Sequence, residues 1–123
     1  MTGSTYENVL DAVRVYDINR PISHIPKIEL VKGDLCITAD DYLKENPHLV
    51  VSLLYLDVDL YVPTKKALEV FVPRMPKGAI IAFDELNAKE FPGETVAFNE
   101  YFGLNNAKIE RFTFDPYFSY CIL

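Results

Sequence analysis

The hydrophobic pattern of the chain centres on VVSLLYLDVDLY, Val50 to Tyr61, an apolar run that ends abruptly in Asp57-Val58-Asp59. A second run, Ala79 to Phe83, ends in Asp84-Glu85. Runs rich in Val, Leu and Ile and bare of charge read as strands buried on both faces, as in a parallel sheet. Between them Ala67, Leu68, Val70 and Phe71 fall at helical spacing. Val62-Pro63-Thr64 opens that helix, with Pro63 in the first turn where a missing amide hydrogen costs nothing. Pro73 to Gly78 closes it. Strand, helix and strand within about thirty residues predict a βαβ unit with a right-handed crossover.

Elsewhere the pattern is simpler. Tyr6, Val9, Leu10, Val13 and Tyr16 predict an amphipathic helix over Tyr6 to Tyr16, after a short polar start expected to fray. Asn19 to Pro26, with two prolines, reads as a connection. Ile28 to Val31 reads as a short strand and Lys32-Gly33-Asp34 as its turn. Thr38 is the expected cap of a helix through Tyr42 and Leu43, with Asp40 and Asp41 in its first turn, stopped by Asn46-Pro47. Asn87 to Gly93 is a polar loop. Val96, Ala97, Phe98, Tyr101 and Phe102 then mark a helix face, with Glu94 near the amino end and Gly103 as carboxyl cap. Ile109 to Phe114 and Tyr117 to Leu123, joined at Asp115-Pro116, predict a terminal β-hairpin antiparallel to the rest. Its aromatic residues, Phe112, Phe114, Tyr117, Phe118 and Tyr120, read as sheet core. The class is α/β, as a single domain of 123 residues.

Composition narrows the partners. Acids outnumber bases by 18 to 12, a net charge of -6, and Lys65-Lys66 is the longest basic run, so a nucleic-acid backbone is not an expected partner. Cys36 and Cys121 lack metal-ligand spacing and read as buried thiols rather than a disulfide. No apolar run reaches membrane-spanning length and no leader is evident, so the expectation is a cytoplasmic protein with no membrane partner.

The acids carry the candidate chemistry. Strand period two points Asp57 and Asp59 the same way if strand geometry persists between them. Asp84 and Glu85 are expected at the neighbouring strand end, because strands joined by one helix often lie side by side. Converging carboxylates repel one another, and a hard divalent ion, Mg²⁺ or Ca²⁺, stabilises an all-oxygen set of this kind. Without such convergence the four are ordinary loop acids. His24 and His48 lie in loops away from this pattern.

From Leu53 to Phe102 the chain reads LLYLDVDLYVPTKKALEVFVPRMPKGAIIAFDELNAKEFPGETVAFNEYF. An Asp-x-Asp-x-Tyr strand end, a Thr at the helix start, Pro-x-Gly-x-Ile entering the next strand, acids at its end and Pro-Gly before an acid-bearing helix follow one another. This resembles the carboxyl-terminal half of the macrocin-type sugar O-methyltransferases, with similarity from about Ile28 to the end. The resemblance implies an incomplete Rossmann-like class I methyltransferase fold, S-adenosylmethionine and Mg²⁺ as cofactors, and a sugar or other small-molecule hydroxyl as methyl acceptor in natural-product biosynthesis. It further implies Asp57, Asp84 and Glu85 as metal ligands, Glu85 departing from the family's usual Asp, and Asp59 as the catalytic general base. Tyr61 and the Asn87 to Glu94 loop would shape the acceptor pocket.

The resemblance also implies a gap. In the family's strand order, three, two, one, four, five, seven, six, Ile28 to Val31 matches the third strand and the Val50 run the fourth. Nothing matches the glycine-rich loop or the ribose-holding acid, so no cofactor-binding residue is identified. The sheet is expected to be interrupted, with a hydrophobic strand edge on each side of the gap. A longer polypeptide, a second chain supplying the strands, or homo-oligomerisation would each resolve this, and Met1 argues against a proteolytic piece. Alone, the chain is expected not to bind S-adenosylmethionine tightly. Two other readings stand beside this one: a catalytically incomplete subunit, and a haloacid-dehalogenase-type phosphatase, whose first strand also ends in Asp-x-Asp.

Overall fold

The computed structural model describes residues 5–115 and 117–123. The chain divides into two compact units, residues 1–33 and 34–123. In the first, helix α1 spans Tyr6–Ile18, its start fixed by the Thr5 side chain, which accepts the Asn8 amide. None of its residues is buried. The expected strand at Ile28 to Val31 is absent: residues 26–32 form no regular element and join no ladder, and Ile28 and Val31 remain exposed. Apolar residues supply a strand's packing, but only a neighbour's backbone makes it a strand.

The second unit opens with α2, Leu35–Glu45. Its cap is Asp34, whose carboxylate accepts the Cys36 amide at 2.9 Å, rather than Thr38. Thr38 sits a turn later and donates its hydroxyl to the Asp34 carbonyl, so Asp40 and Asp41 fall beyond the first turn. Asn46 caps the other end, as the Asn-Pro pair predicts.

Strand β1, Leu53–Leu56, leads through α3, Tyr61–Phe71, and a 3₁₀ turn, Val72–Arg74, into β2, Ile80–Phe83. β1 and β2 are parallel, Leu56 opposite Phe83, which is the predicted βαβ unit. Helix α4, Gly93–Phe102, ends at Gly103, whose φ of 75° is open to glycine at little cost. Then follow β3, Ile109–Arg111, and β4, Ser119–Ile122, paired antiparallel. Pro116 lies outside the described residues, so the expected turn at Asp115-Pro116 is visible only at Asp115, which accepts the Tyr117 and Phe118 amides. The last strand inserts between its predecessors, giving the order β1-β2-β4-β3 with β4 antiparallel to β2. Taken as strands four, five, seven and six, this is the order the family resemblance implies.

The core lies on one face of the sheet. Leu56, Ile81, Phe83 and Cys121 pack against Ala67 and Leu68 of α3 and Ala97 and Phe98 of α4. Phe83 and Phe98 meet edge to face at 5.4 Å between ring centres. Helix α2 joins the layer through buried Ala39 and the Asp40–Lys66 ion pair at 2.6 Å. Cys36 and Cys121 are both free thiols. Contrary to the sequence expectation, the Val50 run is not buried on both faces. Leu56 is 2% exposed, but Leu53 is 59% and Tyr55 47% exposed. The strand is four residues long and stands at the sheet edge, paired among the described residues with β2 alone. No helix among the described residues is long and apolar enough to cross a membrane.

Candidate functional site

The carboxyl ends of β1 and β2 lie side by side, and the Asp84 amide donates to the Leu56 carbonyl at 3.0 Å. That bond fixes Asp57 and Asp84 as neighbours across the two strand ends. Strand geometry does not continue from Asp57 to Asp59. The Leu60 amide donates to the Val58 carbonyl at 2.5 Å, closing a three-residue turn with Asp59 at its centre and φ at 56°. A non-glycine residue at positive φ is strained, and such strain gathers at functional sites. The period-two argument for Asp57 and Asp59 therefore does not apply beyond Leu56.

Glu85 feels the charges of the other three predicted acids. Burial pushes the Glu85 carboxyl up, and the charges of Asp59, Asp84, Asp57 and Glu90 push it further. Glu85 Oε2 is buried without a hydrogen-bond partner among the described residues. Asp84 is engaged by a residue the sequence did not single out: the Tyr55 hydroxyl donates to its Oδ1 at 2.7 Å. That bond, with burial and the nearby acids, pushes Tyr55 up to about 12, so the phenol stays a donor.

A second unpredicted residue is Glu94 in the first turn of α4, 0% exposed. Its Oε2 accepts the Glu85 amide at 3.3 Å. Burial raises its pKa, offset in part by the Glu85 and Val58 amides. The Pro92-Gly93-Glu94 sequence marks a helix start with an acid in its first turn, but carries no sign that the acid is buried. Gly93 explains the burial. A Cβ there would lie 2.4 Å from the Tyr61 nitrogen and 2.5 Å from the Asp59 carbonyl oxygen, so only glycine lets α4 approach the β1 loop this closely. Tyr61, expected to shape a pocket, instead donates its hydroxyl to Glu100 Oε2 at 2.5 Å and accepts from Lys65 Nζ at 2.8 Å. It braces α3 against α4.

The donor chemistry fits a hard divalent ion: carboxylates only, with two oxygens, Glu85 Oε2 and Glu94 Oε1, buried and without a hydrogen-bond partner among the described residues. The spacing is not that of a formed coordination shell, since among the described residues no three potential ligands are gathered to hold a metal. S-adenosylmethionine has no comparable fit. The space beside Gly93 is filled by the Asp59–Tyr61 backbone, that beside Gly103 by Asn106, and Gly78 stands in the open. No cradle for the donor is formed by these three glycines.

No protein-family model and no curated protein matches the chain. Solved structures do. The apo structure of CalS11, a TDP-rhamnose 3'-O-methyltransferase in calicheamicin biosynthesis, is 35% identical with a TM-score of 0.88, over 94% of this chain and 50% of that one. A second CalS11 structure gives 36% identity and a TM-score of 0.88, over 98% and 48%. The O-methyltransferase NovP shares the fold at a TM-score of 0.70 and 23% identity, over 96% and 44%. The chain thus spans about half the length of these enzymes. In fold and sequence it belongs with the sugar O-methyltransferases that CalS11 represents, as the counterpart of about half of one.

Proposed function

We propose that this chain supplies the acceptor side of an S-adenosylmethionine- and Mg²⁺-dependent O-methyltransferase acting on a sugar hydroxyl of a natural-product glycoside or nucleotide sugar. The observation that carries the reading is the placement of two acid pairs on adjoining strand ends, within a chain 35% identical to CalS11 over 94% of its length. Asp57, Asp84 and Glu85 are the residues that would hold the metal, which when bound would supply positive charge to orient the acceptor and lower its hydroxyl pKa. Asp59 would take the acceptor hydroxyl's proton, and the methyl donor held by a second body would supply the methyl group. The Asp59 turn is closed by the Leu60–Val58 bond and backed by Gly93, so the carboxylate rides on a constrained backbone. Holding oxygen, carbon and sulfur in line is the larger part of the catalysis. Tyr55 keeps the Asp84 carboxylate oriented.

The reading requires a second body that binds the methyl donor. The face of the sheet opposite the helices is open and apolar: Leu53, Ile80, Ala82, Phe118, Tyr120 and Ile122 line a groove of about 370 Å³. A parallel β-pair of this kind is ordinarily covered on both faces. The occupant proposed is a polypeptide carrying the cofactor-binding strands, corresponding to the part of the CalS11 length that this chain does not span. The test is complementation. Residues 34–123 replacing the matching half of CalS11 should restore methyl transfer to TDP-rhamnose, and Asp59→Asn in that chimera should abolish it. A chimera that folds and binds S-adenosylmethionine but transfers no methyl group, or one indifferent to Asp59→Asn, would overturn the reading.

A further inference from the structure

The aromatic residues of the terminal hairpin, expected as sheet core, are open to solvent at its tip: Phe112 is 42% and Phe114 82% exposed. Their rings form a row that begins at the acid site. Tyr55, whose hydroxyl donates to Asp84 Oδ1 at 2.7 Å, stacks on Phe118 at 5.8 Å between ring centres and 30° between planes. Phe118 stacks on Phe112 at 5.6 Å and 21°, and Phe112 on Phe114 at 5.2 Å and 14°. Ser119 pairs with Phe83, so the Phe118 end of the hairpin lies at the acid-bearing end of the sheet. The aliphatic residues of the open face, Leu53, Ile80 and Ile122, share the opposite end of the ladder. Offset, near-parallel rings leave π-faces to a further planar group, and a contiguous exposed apolar patch marks a binding surface.

We propose that the Phe112–Phe114 end of this row binds the nucleobase of a nucleotide-sugar acceptor. The site rests on the reading of the strand-end acids as the place of methyl transfer, and names the part of the acceptor held beyond them. Two observations favour a nucleobase over an aryl group joined directly to the sugar. The first is position. In a nucleotide sugar a diphosphate and a ribose separate base from sugar, so with the sugar at Asp84 the base falls on rings beyond Tyr55. An aryl group one oxygen away would fall on Tyr55 and Phe118, yet the most exposed ring is Phe114, at the far end of the row. The second is the polar flank. Tyr120 lies 5.2 Å from Phe112 between ring centres, its hydroxyl donates to Glu110 Oε2 at 3.0 Å, and Lys108 pairs with Glu110 Oε1 at 2.5 Å. A nucleobase has stacking faces and hydrogen-bonding edges, and this flank sets donors and acceptors beside the rings. Stacking itself is tolerant of base identity.

The experiment uses the full chain with three probes: uridine for the base, ribose as its base-free control, and phenyl β-glucoside for the directly joined aryl group. Each is followed by saturation-transfer NMR and titration. Uridine should receive saturation more strongly at its base protons than at its ribose protons, and ribose should not bind. Phe114→Leu should weaken uridine binding about fivefold or more, the usual loss of a stacked base, while Phe114→Tyr keeps it. Phe114 is mostly exposed, so both variants should fold. Unchanged uridine affinity in Phe114→Leu, or no uridine binding by the folded chain, would overturn the proposal. So would a phenyl glucoside more dependent on Phe114 than uridine is, which would give the rings to an aryl aglycone. Uridine binding lost in the chimera described above would give them to the covering polypeptide, and overturn it as well. Phe114-dependent uridine binding in a folded chimera that transfers no methyl group would uphold the base site and remove the methyltransferase reading. A chimera active on its nucleotide sugar, with a KM indifferent to Phe114→Leu, would do the reverse.

Discussion

Strands β1 and β2 look alike in sequence and differ in the structure. Each is an apolar run finished by acids, they pair in parallel, and one helix joins them. Yet β2 has a neighbour on both sides and buries Ile81, Ala82 and Phe83, whereas β1 stands at the edge and buries only Leu56. Apolar content reports that a strand has somewhere to bury itself; it does not report whether the covering body belongs to the same chain. On the function proposed above, β1 would have the sequence of a central strand because a second body carrying the cofactor-binding strands would cover it; the chain spans about half the length of CalS11.

The largest expected effect tests the buried partner. Ile81→Ala should cost about 2–5 kcal/mol in denaturant unfolding, the range for a large aliphatic side chain in a packed core. Gly93→Ala comes next at about 1–3 kcal/mol, the cost of overpacking, because its Cβ would meet the Asp59–Tyr61 backbone. It should loosen the β1 loop while leaving the β2–β4 ladder protected, as amide exchange can show. Tyr55→Phe removes one half-exposed hydrogen bond to Asp84 and should cost about 1 kcal/mol or less. Leu53→Lys should be smallest, within about 0.5 kcal/mol in the isolated chain, as for an ordinary surface substitution. The same Leu53→Lys change should strongly weaken assembly with the cofactor-binding half, measured by co-purification. If Leu53→Lys cost as much as Ile81→Ala in the isolated chain, the two strands would be equally covered and the comparison would fail.

The sequence was most informative where local chemistry and periodicity agree. The βαβ unit, α1, α4 with its Gly103 cap and the terminal antiparallel pair follow from apolar spacing and capping residues. The order β1-β2-β4-β3 did not; only the family resemblance supplied it. Ile28 to Val31 shows the limit of pattern, since pairing with another strand is invisible in a window of four residues. The cap of α2 was misplaced for a related reason: Asp34 and Thr38 are both good caps, and only the backbone course decides between them.

The four acids at the strand ends were legible because charge ending an apolar run is conspicuous. Tyr55 and Glu94 were not. Tyr55 reads as one more apolar strand residue until its hydroxyl is seen on Asp84. Glu94 reads as a routine first-turn acid, and its burial depends on a glycine one position earlier meeting a backbone more than thirty residues away.

The central claim is that the ends of β1 and β2 make one acid site. It is tested most directly by calorimetric titration of Mg²⁺ into the chain and its Asp84→Ala and Asp59→Asn variants. The account predicts a single site in the chain, lost or weakened about tenfold or more in Asp84→Ala, as for loss of a carboxylate ligand, and retained in Asp59→Asn. Equal binding by Asp84→Ala and the unaltered chain, or none by a folded chain, would contradict it.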